Sequence, residues 1–91
     1  MLFMVIEHFT PDQLSAVGAR FERSGRMLPD EVIYVHSWME SSGSRCFQLM
    51  EAPHLDALNL WTARWSDLVH FEIVPVQTSA DFWSARQPKS S

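Results

Sequence analysis

The chain has one cysteine, Cys46, and three glycines, Gly18, Gly25 and Gly43, in 91 residues. A single cysteine cannot close an intramolecular disulfide, and it excludes a CxxC redox site and a cysteine-rich zinc site. Small secreted domains are usually stapled by several disulfides, so a reducing, cytoplasmic setting is expected. Three scattered glycines leave no way to write a P-loop or a dinucleotide fingerprint. Positive charge is also scarce: 7 Lys plus Arg face 11 Asp plus Glu, a formal net charge of -4. Proteins that displace counterions from phosphates are normally basic, so no nucleic-acid partner is expected. Arg20, Arg23 and Arg26 recur at three-residue spacing, but Asp12, Glu22, Asp30 and Glu31 surround them, and the group reads as a solvated helix face. No apolar run approaches the ~20 residues of a membrane-spanning helix. The apolar opening, Met1 to Ile6, lacks a basic flank and is interrupted by Glu7 and His8, so it does not read as a signal peptide. His8, His36, His54 and His70 show no ligand spacing, and neither a metal nor another cofactor is expected.

What the chain does have is bulk. Four Trp, six Phe and one Tyr are more large side chains than one small domain needs, because a chain of this size buries only ~60–65% of its unfolded surface. One domain is expected over residues 1–77, followed by a tail over 78–91. Leu2 to His8 is a strand-length apolar run. Thr10, Pro11 and Gln13 then spell an N-cap, a proline at the first helical position and a capping box, with Phe9 and Leu14 as a hydrophobic staple. Leu14, Val17, Gly18 and Phe21 mark one helix face, and Gly25 the stop. Val32 to Met39 and Arg45 to Glu51 read as strands joined by a turn at Ser41 to Ser44. Pro53 opens a helix near His54 to Ser66, with Leu55, Leu58, Trp61 and Trp65 on its apolar face. Leu68 to Val76 is the fourth strand, and Pro75 suggests an edge position. Thr78 or Ser79 caps a short tail helix, and Pro88 to Ser91 reads as disordered. The order β-α-β-β-α-β, with right-handed crossovers, gives an α+β, ferredoxin-like sandwich with an antiparallel sheet ordered 4-1-3-2.

The strands alternate poorly. Assigning Leu2, Met4 and Ile6, Ile33 and Val35, Phe47 and Leu49, and Val69, Phe71 and Ile73 to the helix side leaves an apolar far face. That face would hold Phe3, Val5 and Glu7, then Tyr34, His36 and Trp38, then Cys46, Gln48 and Met50, then Leu68, His70, Glu72, Val74 and Val76. Monomers rarely expose such a patch, so a homodimer with its two sheets packed face to face is expected, with polar groups lining a cavity between them. Glu7 and His70 would meet there, with Gln48 alongside and Trp38 above. A carboxylate beside an imidazole suits proton transfer, and equally suits a hydrogen-bonded cluster that satisfies buried groups at an interface. Tyr34 and His36 lie on the far edge, ~14 Å from His70, too far to share a metal within one subunit. Glu72 lines the cavity or forms an ion pair across the dimer. Cys46 reads as an inert thiol, and Trp61 and Trp65 as core aromatics.

The stretches YVHSWME, RCFQLMEA and WTARWSDLVHFEIVPVQTS, together with MLFMVIEHF and ERSGRMLP, resemble a family of small bacterial proteins classed as a domain of unknown function (3303 series). The resemblance spans nearly the whole chain. It implies the dimeric α+β barrel superfamily, whose members include antibiotic-biosynthesis-type monooxygenases, muconolactone isomerase and stress-responsive barrel proteins. No catalytic residue can be carried over, and fold-level analogy to the enzymes is weak warrant. Three functions stay open. The first is binding of a small apolar molecule between the sheets, with Tyr34, His36, Trp38, Gln48 and Glu72 as candidate contacts. The second is a cofactor-independent monooxygenase- or isomerase-like enzyme, in which His70 moves a proton, Glu7 orients it, and Gln48 and Trp38 position an aromatic substrate. The third is a structural dimer without a ligand.

Overall fold

In the computed structural model, which describes residues 1–86, the chain runs β1 (Leu2–His8), α1 (Pro11–Ser24), β2 (Ile33–Met39), β3 (Arg45–Glu51), α2 (Leu55–Ala63), β4 (His70–Val76) and α3 (Ser79–Arg86). The expected disorder of Pro88 to Ser91 lies outside the described residues. The four strands form one antiparallel sheet in the order β2-β3-β1-β4. This is the ferredoxin-like α+β arrangement anticipated from the sequence, with a third helix appended. Pro75 sits on the edge strand β4, where a missing N–H costs no inner ladder bond.

Local chemistry sets the element ends. Thr10 Oγ1 accepts from the Gln13 N–H at 3.4 Å, and Gln13 Oε1 accepts from the Thr10 N–H at 3.2 Å, completing the capping box. Gly25 ends α1 at φ 65°, in the left-handed region, and its N–H donates to the Phe21 carbonyl. In the β2-β3 hairpin, Glu40 accepts from the guanidinium of Arg45 at 2.7 Å and from the hydroxyl of Ser44 at 2.8 Å. The Arg45 guanidinium and then Ser44 hold the Glu40 carboxyl down at about 2. His54 caps α2 through Nδ1, which accepts from the Ala57 N–H. Thr78 caps α3, its hydroxyl accepting from the Asp81 N–H at 3.0 Å.

The sheet faces the helices with a different set of residues from the one expected. On β1, Phe3, Val5 and Glu7 are buried while Leu2, Met4 and Ile6 are half-exposed on the other face. The ladder transmits this choice: Phe3 pairs with Met50, Val5 with Gln48 and Glu7 with Cys46, so these three β3 residues point inward and Phe47 and Leu49 outward. The decisive residue is Phe9. It is buried, its N–H continues the ladder by donating to the Ser44 carbonyl, and period two carries its inward direction back to Glu7, Val5 and Phe3. On β4, Phe71 and Ile73 pack toward the helix-side core, as expected. On β2 a bulge intervenes: Tyr34 pairs with Met50 but His36 pairs with Leu49, so Val35 is the extra residue. Tyr34, Ser37 and Met39 therefore share the inner face, and His36 and Trp38 the outer. The expected trio Tyr34, His36 and Trp38 is split across the sheet.

Leu58, Trp61 and Ala57 of α2, with Trp65 just beyond it, supply the buried helical layer. No residue of α1 is buried. On its apolar face Leu14 and Val17 are partly buried and pack against the core, while Phe21 is exposed. Arg20 ties α1 to the loop before β4 by a two-pronged bond to Asp67 at 2.8 and 2.7 Å.

The inner face carries the stability of the single chain. Phe3→Ala should cost about 3–5 kcal/mol in urea unfolding, and Leu2→Ala on the opposite face less than about half of that. Equal losses would contradict the inward direction of Phe3.

Candidate functional site

A cavity of about 290 Å³ lies between α1 and the sheet. Its walls are apolar: Phe9, Leu14, Val17 and Phe21 on the α1 side, Trp61 and Trp65 at the α2 end, and Met39 on β2. Phe21 and Met39 are exposed and flank its mouth. Gly18 also lines it, and a Cβ added there would meet nothing within 4 Å. The floor is polar, made by Glu7, Cys46 and Gln48 with Ser37 and Arg26 beside them. Small-molecule sites combine these features: mostly apolar walls and a few converging polar groups.

The connector after α1 positions the cationic end of the floor. The indole N–H groups of Trp61 and Trp65 both donate to the Arg26 carbonyl, at 2.9 and 3.0 Å. Arg64 donates to the next carbonyl, that of Met27, at 2.6 Å. Met27 itself has φ 58°, a left-handed conformation that a methionine rarely adopts. The three donors hold this turn and aim the Arg26 side chain inward. Its guanidinium lies 3.7 Å from the Tyr34 ring centre, with Nε donating to Gln48 Oε1 at 3.2 Å. The Tyr34 and Ser37 hydroxyls share a 2.8 Å hydrogen bond next to it.

Arginine only donates, so the Gln48 atom facing Arg26 is the oxygen. That leaves the Gln48 amide N–H group for the carboxylate of Glu7. Burial raises the Glu7 carboxyl above its ordinary value of 4.5, while Gln48, Cys46 and the Arg26 charge pull it back. The Cys46 thiol is pushed up to about 11, first by burial and then by the adjacent Glu7. It is a poor nucleophile, as read from the sequence.

The residues proposed from sequence distribute over two faces. Glu7, Gln48 and Tyr34 stand on the helix side. His70, Glu72, His36 and Trp38 stand on the outer side. The expected meeting of Glu7 with His70 does not occur: Glu7 pairs with Phe71, and His70 lies opposite His8 with ring centres 5.8 Å apart. The reason is the inverted direction of β1 described above. His8 in turn sits 3.6 Å from Glu72, and His36 packs against Trp38 at 4.7 Å. Among the described residues no group of three or more His, Cys, Asp or Glu could hold a metal.

Arg26, Ser37 and the α1 wall went unseen in the sequence. Arg26 looked like the third member of a helical stripe. Gly25 ends the helix one residue earlier, and that signal already placed Arg26 off the helix.

A family model described as Domain of unknown function (DUF3303) matches residues 1–90. The chain belongs to the DUF3303 family. No curated protein and no solved structure matches it.

The raised Glu7 carboxyl has a consequence for stability. Between pH 4.5 and its raised folded value, the folded chain keeps a proton that the unfolded chain releases, so stability falls as pH rises through that window. Glu7→Gln removes the ionisation. It should raise Tm relative to the parent at about pH 8, and the gain should vanish below about pH 4, as followed by thermal melts across the range.

Proposed function

We propose that this DUF3303 protein binds a small, largely apolar molecule, and that the ligand lies in the cavity between α1 and the sheet rather than between two sheets. The observation that supports this reading most is the convergence of buried Glu7 and Gln48, with Arg26, at the floor of an otherwise apolar cavity of about 290 Å³. Polar groups are costly to bury unless hydrogen-bonded, and here a hydrogen-bonded cluster lines an apolar cavity, as small-molecule sites do. Gly18 offers the test, because it lines the cavity and a Cβ there meets no atom within 4 Å. Gly18→Leu should keep the fold, helped by better helix propensity. It should weaken binding of an apolar fluorescent probe such as anilinonaphthalene sulfonate, or of naphthalene, by about tenfold or more. Unchanged binding would place the ligand elsewhere, and no binding to the parent would favour a purely structural protein.

We also propose that the chain works as a homodimer through the bare sheet face, in a reducing cytoplasm suited to its single thiol. That face presents Leu2, Met4, Ile6, Phe47 and Leu49, with Trp38 49% and Val74 38% exposed. Arg45, paired with Glu40, and the carboxylates Glu51 and Glu72 stand on the same face. The sheet face covers about 450 Å², from four strands ~4.8 Å apart and seven residues at ~3.3 Å. A stable dimer buries about 800 Å² per partner, so another element has to contribute. The α3 helix is available: none of its residues is buried and Trp83 is 61% exposed. The chain is correspondingly extended, with a radius of gyration of 15.5 Å against about 12 Å for a compact domain of this length. Sedimentation should give twice the chain mass, and Ile6→Glu at the centre of the face should give a folded monomer. A monomeric parent would refute the dimer.

A further inference from the structure

The Glu7 carboxylate takes its protein partners from one side. Gln48 and Cys46 approach it from β3, within the sheet. Among the described residues of α1 and α2 that line the cavity, none has a free side-chain donor for it. Leu14, Val17, Gly18 and Phe21 of α1 have no side-chain donor. The indole N–H groups of Trp61 and Trp65, the donors at the α2 end of the cavity, are both committed to the Arg26 carbonyl. A carboxylate offers about four lone-pair sites, so its cavity side keeps acceptor capacity that no lining side chain of α1 or α2 meets.

The cation beside it is engaged in part. Arg26 gives Nε to Gln48 and reaches Ser37 at 3.5 Å, and its guanidinium lies by the rings of Tyr34 and Phe21, at 3.7 and 5.2 Å from their centres. An anionic ligand would have to break this arrangement and face Glu7. A cationic ligand would have to shed its water beside Arg26.

We propose that the cavity selects a neutral, apolar molecule that presents one O–H or N–H donor to the Glu7 carboxylate. This rests on the cavity being the binding site. Gln48 is then a positioning residue: Arg26 fixes which end of its amide faces Glu7, and so holds the carboxylate for the ligand. The apolar remainder of the ligand lies against Leu14, Val17 and Phe21.

Three probes of one shape test it: naphthol, its methyl ether methoxynaphthalene, and naphthoate, each titrated into the full chain by calorimetry at neutral pH. Naphthol should bind about tenfold or more tighter than the ether, the effect of one hydrogen bond to a charged acceptor. It should also bind tighter than naphthoate. In Glu7→Leu the preference for naphthol over the ether should disappear while the ether still binds. Equal binding of naphthol and ether to the parent overturns this proposal and leaves the cavity as an apolar site. Tightest binding of naphthoate overturns it in favour of an anion site at Arg26. Failure of all three to bind overturns the ligand-binding reading together with this one. The parent titrations decide each of these cases even if Glu7→Leu does not fold.

Discussion

Two indole N–H groups converge on one carbonyl, that of Arg26, and much of the site follows from this. The turn between α1 and β2 contains two left-handed residues in three, Gly25 and Met27. Such a turn persists only where its surroundings over-determine it. Trp61, Trp65 and Arg64 do so by clamping consecutive carbonyls. The same contact satisfies two buried indoles, which would otherwise lose hydrogen bonds on leaving water. It also anchors the end of α1 to α2, beside the cavity that α1 and the sheet enclose. Arg26 is thereby turned from a surface cation into the outer member of a buried chain running through Gln48 to Glu7.

That chain shows how a small domain tolerates a buried carboxylate. A partner charge placed directly against Glu7 would neutralise it and close the site. Here Arg26 acts at one remove, through an amide whose orientation it sets, and the carboxylate still borders the cavity. Burial raises its proton affinity and the amide, thiol and distant cation lower it. The net result is an acceptor that is costly to the fold, which is where binding chemistry is commonly found.

The excess of large side chains divides into two groups with different roles. Trp61, Trp65, Phe9 and Phe3 build the core and the cavity walls on the helix side. Trp38, Phe47 and Trp83 lie outside it, on the bare sheet face and on α3. The aromatic surplus is therefore both an inner wall and an outer surface.

Read alone, the amino-acid order determined the elements and their topology, while α2 ends at Ala63 rather than Ser66 and β4 starts at His70 rather than Leu68. Caps, staples, turn residues and strand propensity act over a few residues, and Thr10 to Gln13, Gly25, Ser41 to Ser44 and Pro75 each behave as their local chemistry requires. The direction of each strand's faces was decided by tertiary structure. Both parities of β1 are apolar, so alternation carried no information there, and a single inward Phe9 settled it for β1 and, through the ladder, for β3. The clue was present in the staple of Phe9 with Leu14, but it had to be propagated backwards along the strand. The bulge at Val35 left no local mark, and it moved Tyr34 away from His36 and Trp38. Glu7 and Gln48 could be singled out as polar residues on apolar strands. That they face Arg26 and a cavity, and that His70 faces away, depends on which side of the sheet is in, and only packing decides that.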